Sequence, residues 1–165
     1  MIDAYLGIGS NLGEREKNIE KAILLLAEKV QLVQCSSLYQ TEPIGYQEQD
    51  WFLNCAIGIQ TNYEPSELHH LLQNIEVKIG RIRDIPNGPR IIDLDLLLYG
   101  DCIFKTEKLE IPHPRLHLRR FVLVPLQEIA AEVVHPILQN SISGLLSDLE
   151  GEKNDQVHLY RKNKY

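Results

Sequence analysis

The chain has little cysteine and arranges none of it as a framework. Its 165 residues include three cysteines, Cys35, Cys55 and Cys102, an odd number and widely spaced. There is no C-x-x-C and no Cys/His spacing of the kind that holds zinc, so buried free thiols in a reducing compartment are expected. Long hydrophobic runs are also missing. No apolar stretch approaches the roughly 20 residues of a membrane helix, and no signal-like segment precedes the first strand pattern. The expectation is a cytoplasmic protein without a membrane partner. Positive charge is in deficit: a net charge of −6 argues against a nucleic-acid partner, which needs a basic footprint. The phosphate-cradling G-x-x-x-x-G-K and the protein-kinase motif set are absent. No repeat, linker or low-complexity segment divides the chain, and its length suits one domain, residues 1–165, able to bury a real core.

What is present centres on Gly88-Pro89-Arg90-Ile91-Ile92-Asp93-Leu94-Asp95-Leu96-Leu97-Leu98-Tyr99-Gly100. Gly-Pro and Gly-Asp punctuate its ends, so it reads as one strand. Alternation puts Ile92, Leu94, Leu96 and Leu98 on a buried face, and Asp93 and Asp95 on the other beside Ile91 and Leu97. The two carboxylates then lie roughly 7 Å apart at Cβ. They are either part of a solvated face or ligands of a hard divalent cation. Apolar neighbours, the poor strand propensity of Asp and like-charge repulsion favour the cation. With oxygen donors alone Mg²⁺ is the natural choice, and it usually arrives with substrate phosphates.

Taken in order, Asp3–Gly9 reads as a strand, with Gly7 and Gly9 marking close backbone approach or an unusual turn. The Gly9-Ser10-Asn11 segment that follows is either a structural turn or a ligand contact. Residues 14–30 carry helical spacing, and 31–40 a strand pattern. Thr41–Asp50 is a Pro- and Gly-containing loop long enough to be functional. Residues 51–61 form the next strand, in which Asn54 and Phe52 share a face. Asn54 either bonds a neighbouring loop or reads the edge of a ring stacked on Phe52. Glu64-Pro65-Ser66-Glu67 starts a helix that ends at Gly80. His69 and His70 are expected to be exposed on it, and Gln73 and Glu76 to share a face. Arg81, Arg83 and Arg90 precede the acids, as partners in ion pairs or as an anion-binding rim. Cys102-Ile103-Phe104 begins a short partner strand. Pro112 and Pro114 delay the next helix until after Leu116; Phe121–Leu126 and Ile129 supply core contacts. His135-Pro136 is a turn, 141–149 a short helix, and 157–165 a basic, aromatic tail without an assigned role. Strands and helices alternate irregularly, so the fold class is α+β with a mostly antiparallel sheet.

Four blocks in this order resemble the 6-hydroxymethyl-7,8-dihydropterin pyrophosphokinase family of folate biosynthesis. They are Gly9-Ser10-Asn11-Leu12; Thr41–Gly45 with Phe52-Leu53-Asn54; Gly88–Gly100; and Pro112-His113-Pro114-Arg115 with Arg119–Leu126. The likeness is strongest over residues 2–136, and the G-P-R-x-x-D-L-D-L-L block is its most specific part. It implies a ferredoxin-like α/β/α sandwich and transfer of a pyrophosphoryl group from ATP, as co-substrate, to the pterin's hydroxymethyl oxygen, with release of AMP. It also implies two Mg²⁺ ions on Asp93 and Asp95, and phosphate contacts from Arg81 and Arg90. By the same resemblance Gln73, Glu76, Arg83, Leu96, Lys108, His113 and Arg119 bind ATP. Thr41, Pro43, Ile44, Phe52, Asn54 and Phe121 bind the pterin, with Phe52 and Phe121 as the two stacking rings. The partners are small molecules, and a monomer is expected.

The chain departs from some members of that family in several places. Lys108 replaces an Arg, Glu110 a Thr, Pro114 a Tyr and Phe52 a Tyr, and the loop 84–87 is short. No side chain stands out as a general base. Two other readings use the same acids and arginines: a γ-phosphoryl kinase or nucleotidyl transferase, and a pterin-binding module without catalysis.

Overall fold

Alternating apolar residues build the centre of the chain, and glycines and prolines set its corners. The computed structural model describes residues 1–82, 85–150 and 155–163. Its elements are β1 (Ile2–Ser10), α1 (Arg15–Ala27), β2 (Gln31–Cys35), β3 (Leu38–Thr41), β4 (Phe52–Thr61), α2 (Pro65–Ile79), β5 (Asp93–Tyr99), β6 (Phe104–Lys105), β7 (Glu110–Ile111), α3 (Arg120–Ala130), α4 (Ile142–Leu149) and β8 (Val157–Arg161). Among the described residues the main sheet has six strands in the order β5-β1-β4-β3-β8, with β2 also paired to β4. Every ladder in it is antiparallel. β6 and β7 form a separate small hairpin.

The strand pleat sends side chains to two cores. Ala4, Leu6 and Ile8 of β1 and Leu53, Cys55, Ile57 and Ile59 of β4 pack under α1 and α2. Ala56 packs on the opposite face, with Leu123 and Leu126 of α3 and Leu145 and Leu146 of α4. Two helices on each face make the expected α/β/α sandwich with an antiparallel sheet. The strongest local signals are honoured. Glu64 and Glu67 close a reciprocal capping box with Pro65 at the first helical position, and Gly80 ends α2 at φ 110°, a left-handed conformation in which only glycine is unstrained.

Several expectations need correction. The Gly88 segment becomes strand only at Asp93; Gly88–Ile92 approaches as loop, although Ile92 is fully buried. Alternation also breaks inside β5. Tyr5 pairs with Leu98 but Leu6 pairs with Leu96, so Leu97 is an extra residue in a β-bulge. Leu97 and Leu98 therefore both face α3, while Tyr99 turns to the other core. The strand read over 31–40 is interrupted at Ser36-Ser37, where side chains take over the hydrogen bonding. Ser36 Oγ accepts from Ala56 N at 2.9 Å, and Ser37 N and Oγ donate to Glu128 Oε1 of α3 at 3.0 and 2.8 Å. Of the three thiols only Cys55 is buried; Cys35 and Cys102 are half-buried. His69 is half-buried, while His70 is exposed as expected. The start of the tail is β8, paired antiparallel to β3.

Candidate active site

The face of the sheet under α3 carries a shelf without side chains. Gly9 of β1 lies between Asp93 of β5 and Asn54 of β4, and Gly7 between Asp95 and Ala56. A Cβ on Gly9 would meet Asn54 Oδ1 at 2.5 Å, so this glycine is required by close approach and not by a turn. Asn54 is buried and its Nδ2 donates to Thr41 Oγ1 at 2.7 Å. Together with Phe121 these residues enclose a cavity of about 20 Å³, room for about one water molecule.

Beside the shelf, two arginines grip one aspartate. Arg81 Nη1 donates to Asp93 Oδ1 at 2.6 Å, and Arg90 Nη1 donates to Asp93 Oδ2 at 3.0 Å. Arg81 is anchored from below: Glu76 Oε1 accepts from the same Nη1 at 2.6 Å and from Leu94 N at 2.8 Å. Burial works against the Arg81 charge, but Asp93 and Glu76 outweigh it and hold its pKa above the ordinary value. The Arg90 guanidinium lies 5.4 Å from the Phe52 ring centroid, within cation–π range. Asp95 makes no arginine ion pair among the described residues, and Arg119 and Arg81 offset its burial only in part. Burial and then the neighbouring Asp93 push its pKa up to about 7, with Arg119 pulling the other way. Arg119 stacks over Phe121 at 5.5 Å.

A second cavity, of about 300 Å³, opens on the far side of Asp95 and is lined by Leu96, Lys108, Glu110 and His113 among others. Burial, followed by Arg119, pushes the His113 pKa down to about 4, so this ring is neutral at physiological pH. Its Nδ1 accepts from Arg115 N at 3.1 Å, which leaves the proton on Nε2. A third cavity, about 540 Å³, lies at the opposite end of β1, around Met1, Lys29 and Tyr63. None of the expected site residues lines it. Among the described residues no three His, Cys, Asp or Glu side chains gather as a ready-made metal site.

A family model described as 7,8-dihydro-6-hydroxymethylpterin-pyrophosphokinase (HPPK) matches residues 5–131. The chain belongs to this family. A 2-amino-4-hydroxy-6-hydroxymethyldihydropteridine pyrophosphokinase of Bacillus subtilis (strain 168) is 46% identical over 132 residues, 79% of each chain. One from Aquifex aeolicus is 39% identical over 142 residues, 86% of this chain and 89% of that one. A folic acid synthesis protein of Schizosaccharomyces pombe is 40% identical over 151 residues, 90% of this chain but 21% of that one. Among solved structures, Plasmodium falciparum HPPK-DHPS with pterin and p-hydroxybenzoate superposes with a TM-score of 0.71 at 18% identity, over 89% of this chain and 41% of that chain. That likeness concerns the fold alone. The chain thus spans most of the single-function relatives and under half of the larger proteins. It is an enzyme of the pyrophosphokinase class.

For an HPPK, the positions of the expected residues are as follows. Asp95 borders both cavities and Asp93 the small one, while Arg81 and Arg90 meet at Asp93 and line neither. Leu96, Lys108 and His113 line the larger one. Arg119 lies near Asp95, and Glu76 lies under Arg81. Gln73 is half-buried on α2 and is not in the lining of either cavity. Arg83 falls outside the described residues. Asn54 and Phe121 border the small cavity, with Phe52 beside Gly9. Thr41 is reached through Asn54; Pro43 is buried and Ile44 exposed on the loop that follows β3. The sequence offered Asn11 only as part of a structural turn or ligand contact, and offered Gln49 only as part of a loop. Asn11 Oδ1 accepts from Arg90 N, and its Nδ2 donates to Gln49 Oε1 and Asp50 O, each at 2.8 Å. Gln49 Nε2 donates in turn to Asn87 O at 2.9 Å. The Gly-Ser-Asn sequence after β1 was the signal for the first of these; nothing in the sequence marked the second.

Proposed function

We propose that Asp93, Asp95, Arg81 and Arg90 carry the pyrophosphoryl transfer for which the family is named, from ATP to 6-hydroxymethyl-7,8-dihydropterin, with AMP released. The observation that supports this most is the pair of acids on edge strand β5, with Asp95 between a shelf cleared by Gly7 and Gly9 and the cavity beyond it, and with both arginines bonded to Asp93. The nucleotide takes the 300 Å³ cavity, with Leu96 against the base and Lys108 and His113 of its lining on the phosphates, joined by Arg119 from beside Asp95. Gln73, Glu76 and Arg83 complete its surroundings. The pterin takes the shelf between Phe52 and Phe121, its polar edge read by Asn54, Thr41 and the backbone of Pro43 and Ile44. A ring of that size enters only when Phe121, which lines the small cavity, moves aside, because the cavity has room for about one water molecule.

Asp93 and Asp95 suit hard divalent cations. They offer oxygen donors alone, and Asp95 is an ionisable carboxyl destabilised by burial and by its neighbour. Two Mg²⁺ ions held by them would neutralise triphosphate charge and orient the reacting oxygens. The guanidinium of Arg90 is positioned by Gly88 O at 3.3 Å and by the Phe52 ring, and its Nη1 exchanges the Asp93 carboxylate, at 3.0 Å, for phosphate oxygens. Arg81 keeps its orientation through Glu76 and presents its remaining donors to the transferred group. The enzyme acts as one domain and a monomer, in the cytoplasm, on small molecules and without nucleic-acid or membrane partners. The −6 charge supports the absence of nucleic acid. No helix among the described residues is long and apolar enough to cross a membrane.

Incubation with ATP, Mg²⁺ and 6-hydroxymethyl-7,8-dihydropterin, followed by nucleotide chromatography, should give AMP and pterin diphosphate in equal amounts. ADP instead would mark a γ-phosphoryl kinase. Tight pterin binding without turnover by folded protein would mark a binding module.

A further inference from the structure

The strand β8 lies beyond residues 5–131, the span of the family model. It adds no residue to either hydrophobic core, and Leu159 and Tyr160 remain 52% and 43% exposed. Its contacts are concentrated elsewhere. It holds both ends of the loop between β3 and β4, the loop that carries Pro43 and Ile44. At the near end Thr41 pairs with Val157 in register. Glu42 N donates to Gln156 O at 3.2 Å, and Gln156 N donates to Glu42 Oε1 at 2.9 Å. At the far end the His158 ring stacks on Trp51, with centroids 6.1 Å apart and planes 7° from parallel. Trp51 immediately precedes Phe52. The strand is tied in turn to α1: Arg161 reaches Glu16 and Glu20 at 3.2 and 3.4 Å, and Arg15 lies 6.0 Å from the Tyr160 ring centroid. Arg15 Nη1 also donates to Trp51 O at 2.8 Å.

We infer that β8 is a strap that positions the pterin-binding loop, through Gln156 on Glu42 and His158 on Trp51, and so sets affinity for the pterin but not for ATP. This rests on the pterin site proposed above. A loop of about ten residues tied at both ends keeps little freedom to lose when it orders around a substrate, and untying it restores that cost. The nucleotide cavity is lined from β5, the β6–β7 hairpin, His69 of α2 and His113-Pro114, none of which β8 pairs with among the described residues. The segment before β8 meets α3 where Arg120 Nε donates to Asp155 O at 3.3 Å.

The test compares the full chain with His158→Ala, His158→Phe and a chain ending at residue 154, measuring KM for pterin and for ATP separately alongside urea unfolding. Loss of one stacked pair predicts a pterin KM raised about threefold for His158→Ala, and loss of the whole strap about tenfold or more. ATP KM stays within about twofold, as expected for an undisturbed site. His158→Phe restores the stack and the wild-type pterin KM. An unchanged pterin KM in His158→Ala overturns the inference. So does an equal rise in both KM values, or a failure of His158→Phe to rescue. If the shortened chain does not fold, the His158 pair decides alone. Absence of AMP from the full chain would instead overturn the functional reading.

Discussion

Replacing Asp95 by asparagine should make the metal-free protein more stable while abolishing turnover. The folded chain holds the Asp95 proton to about pH 7 against an ordinary value of 3.8. The unfolded chain therefore loses this proton first, and the contribution of Asp95 to stability, full below pH 3.8, falls away as pH rises to about 7. About three pKa units at 1.36 kcal/mol each correspond to roughly 4 kcal/mol. Rearrangement of water and side chains around the charge screens about half of this, leaving roughly 2 kcal/mol at pH 8. Asparagine resembles the neutral acid and carries no such penalty. His113 acts in the opposite sense. Its pKa is pushed down to about 4, so it destabilises the fold only as pH drops below about 6.5. It is present in both proteins and cancels in the comparison. Guanidinium unfolding in EDTA at pH 5 and pH 8 should show the advantage of Asp95→Asn growing by about 1–2 kcal/mol between the two. At pH 8 the melting temperature should rise by about 4–8 °C. Mg²⁺-ATP should raise the wild-type Tm and leave the variant's unchanged. An advantage equal at both pH values, or a variant less stable at pH 8, would refute the reasoning.

Two further outcomes follow from single contacts. Glu76→Ala removes the buried partner of Arg81 and the acceptor of Leu94 N, and should cost about 3 kcal/mol in urea unfolding; a loss below about 0.5 kcal/mol would mean that Asp93 alone holds Arg81. Gly9→Ala places a methyl group 2.5 Å from Asn54 Oδ1. It should cost about 1–3 kcal/mol of stability and displace Asn54, raising pterin KM while ATP KM holds; unchanged pterin kinetics would remove Asn54 from the pterin site.

Features confined to a few neighbouring residues were readable in advance. Glu64-Pro65 and Gly80 bounded α2 because capping groups and a left-handed glycine act over one turn. Strand β4 was readable from its apolar run. The interruption at Ser36-Ser37 was not, because it depends on Glu128 from a helix some ninety residues later. The bulge at Leu97 was hidden for a similar reason: it is a mismatch of length against β1, and a strand read alone has no partner to be out of step with. The tail offered no core pattern, since β8 is held by edge pairing and surface contacts.

The sequence by itself determined the chemistry available: two acids, flanking arginines and two phenylalanines, at spacings that resemble one family of pyrophosphokinases. Strand and helix periodicities also gave the α+β class, while the α/β/α layering was implied by the family resemblance. Only the tertiary structure decided how those groups are partnered. It set Arg81 and Arg90 on Asp93 and left Asp95 buried and only partly offset by Arg119 and Arg81. It decided between the two readings of Gly9 in favour of close approach, to Asn54, and joined Asn11 to Arg90 across 79 residues. Pairings of this kind are contacts between elements distant in sequence, and they exist only once strand register has been chosen.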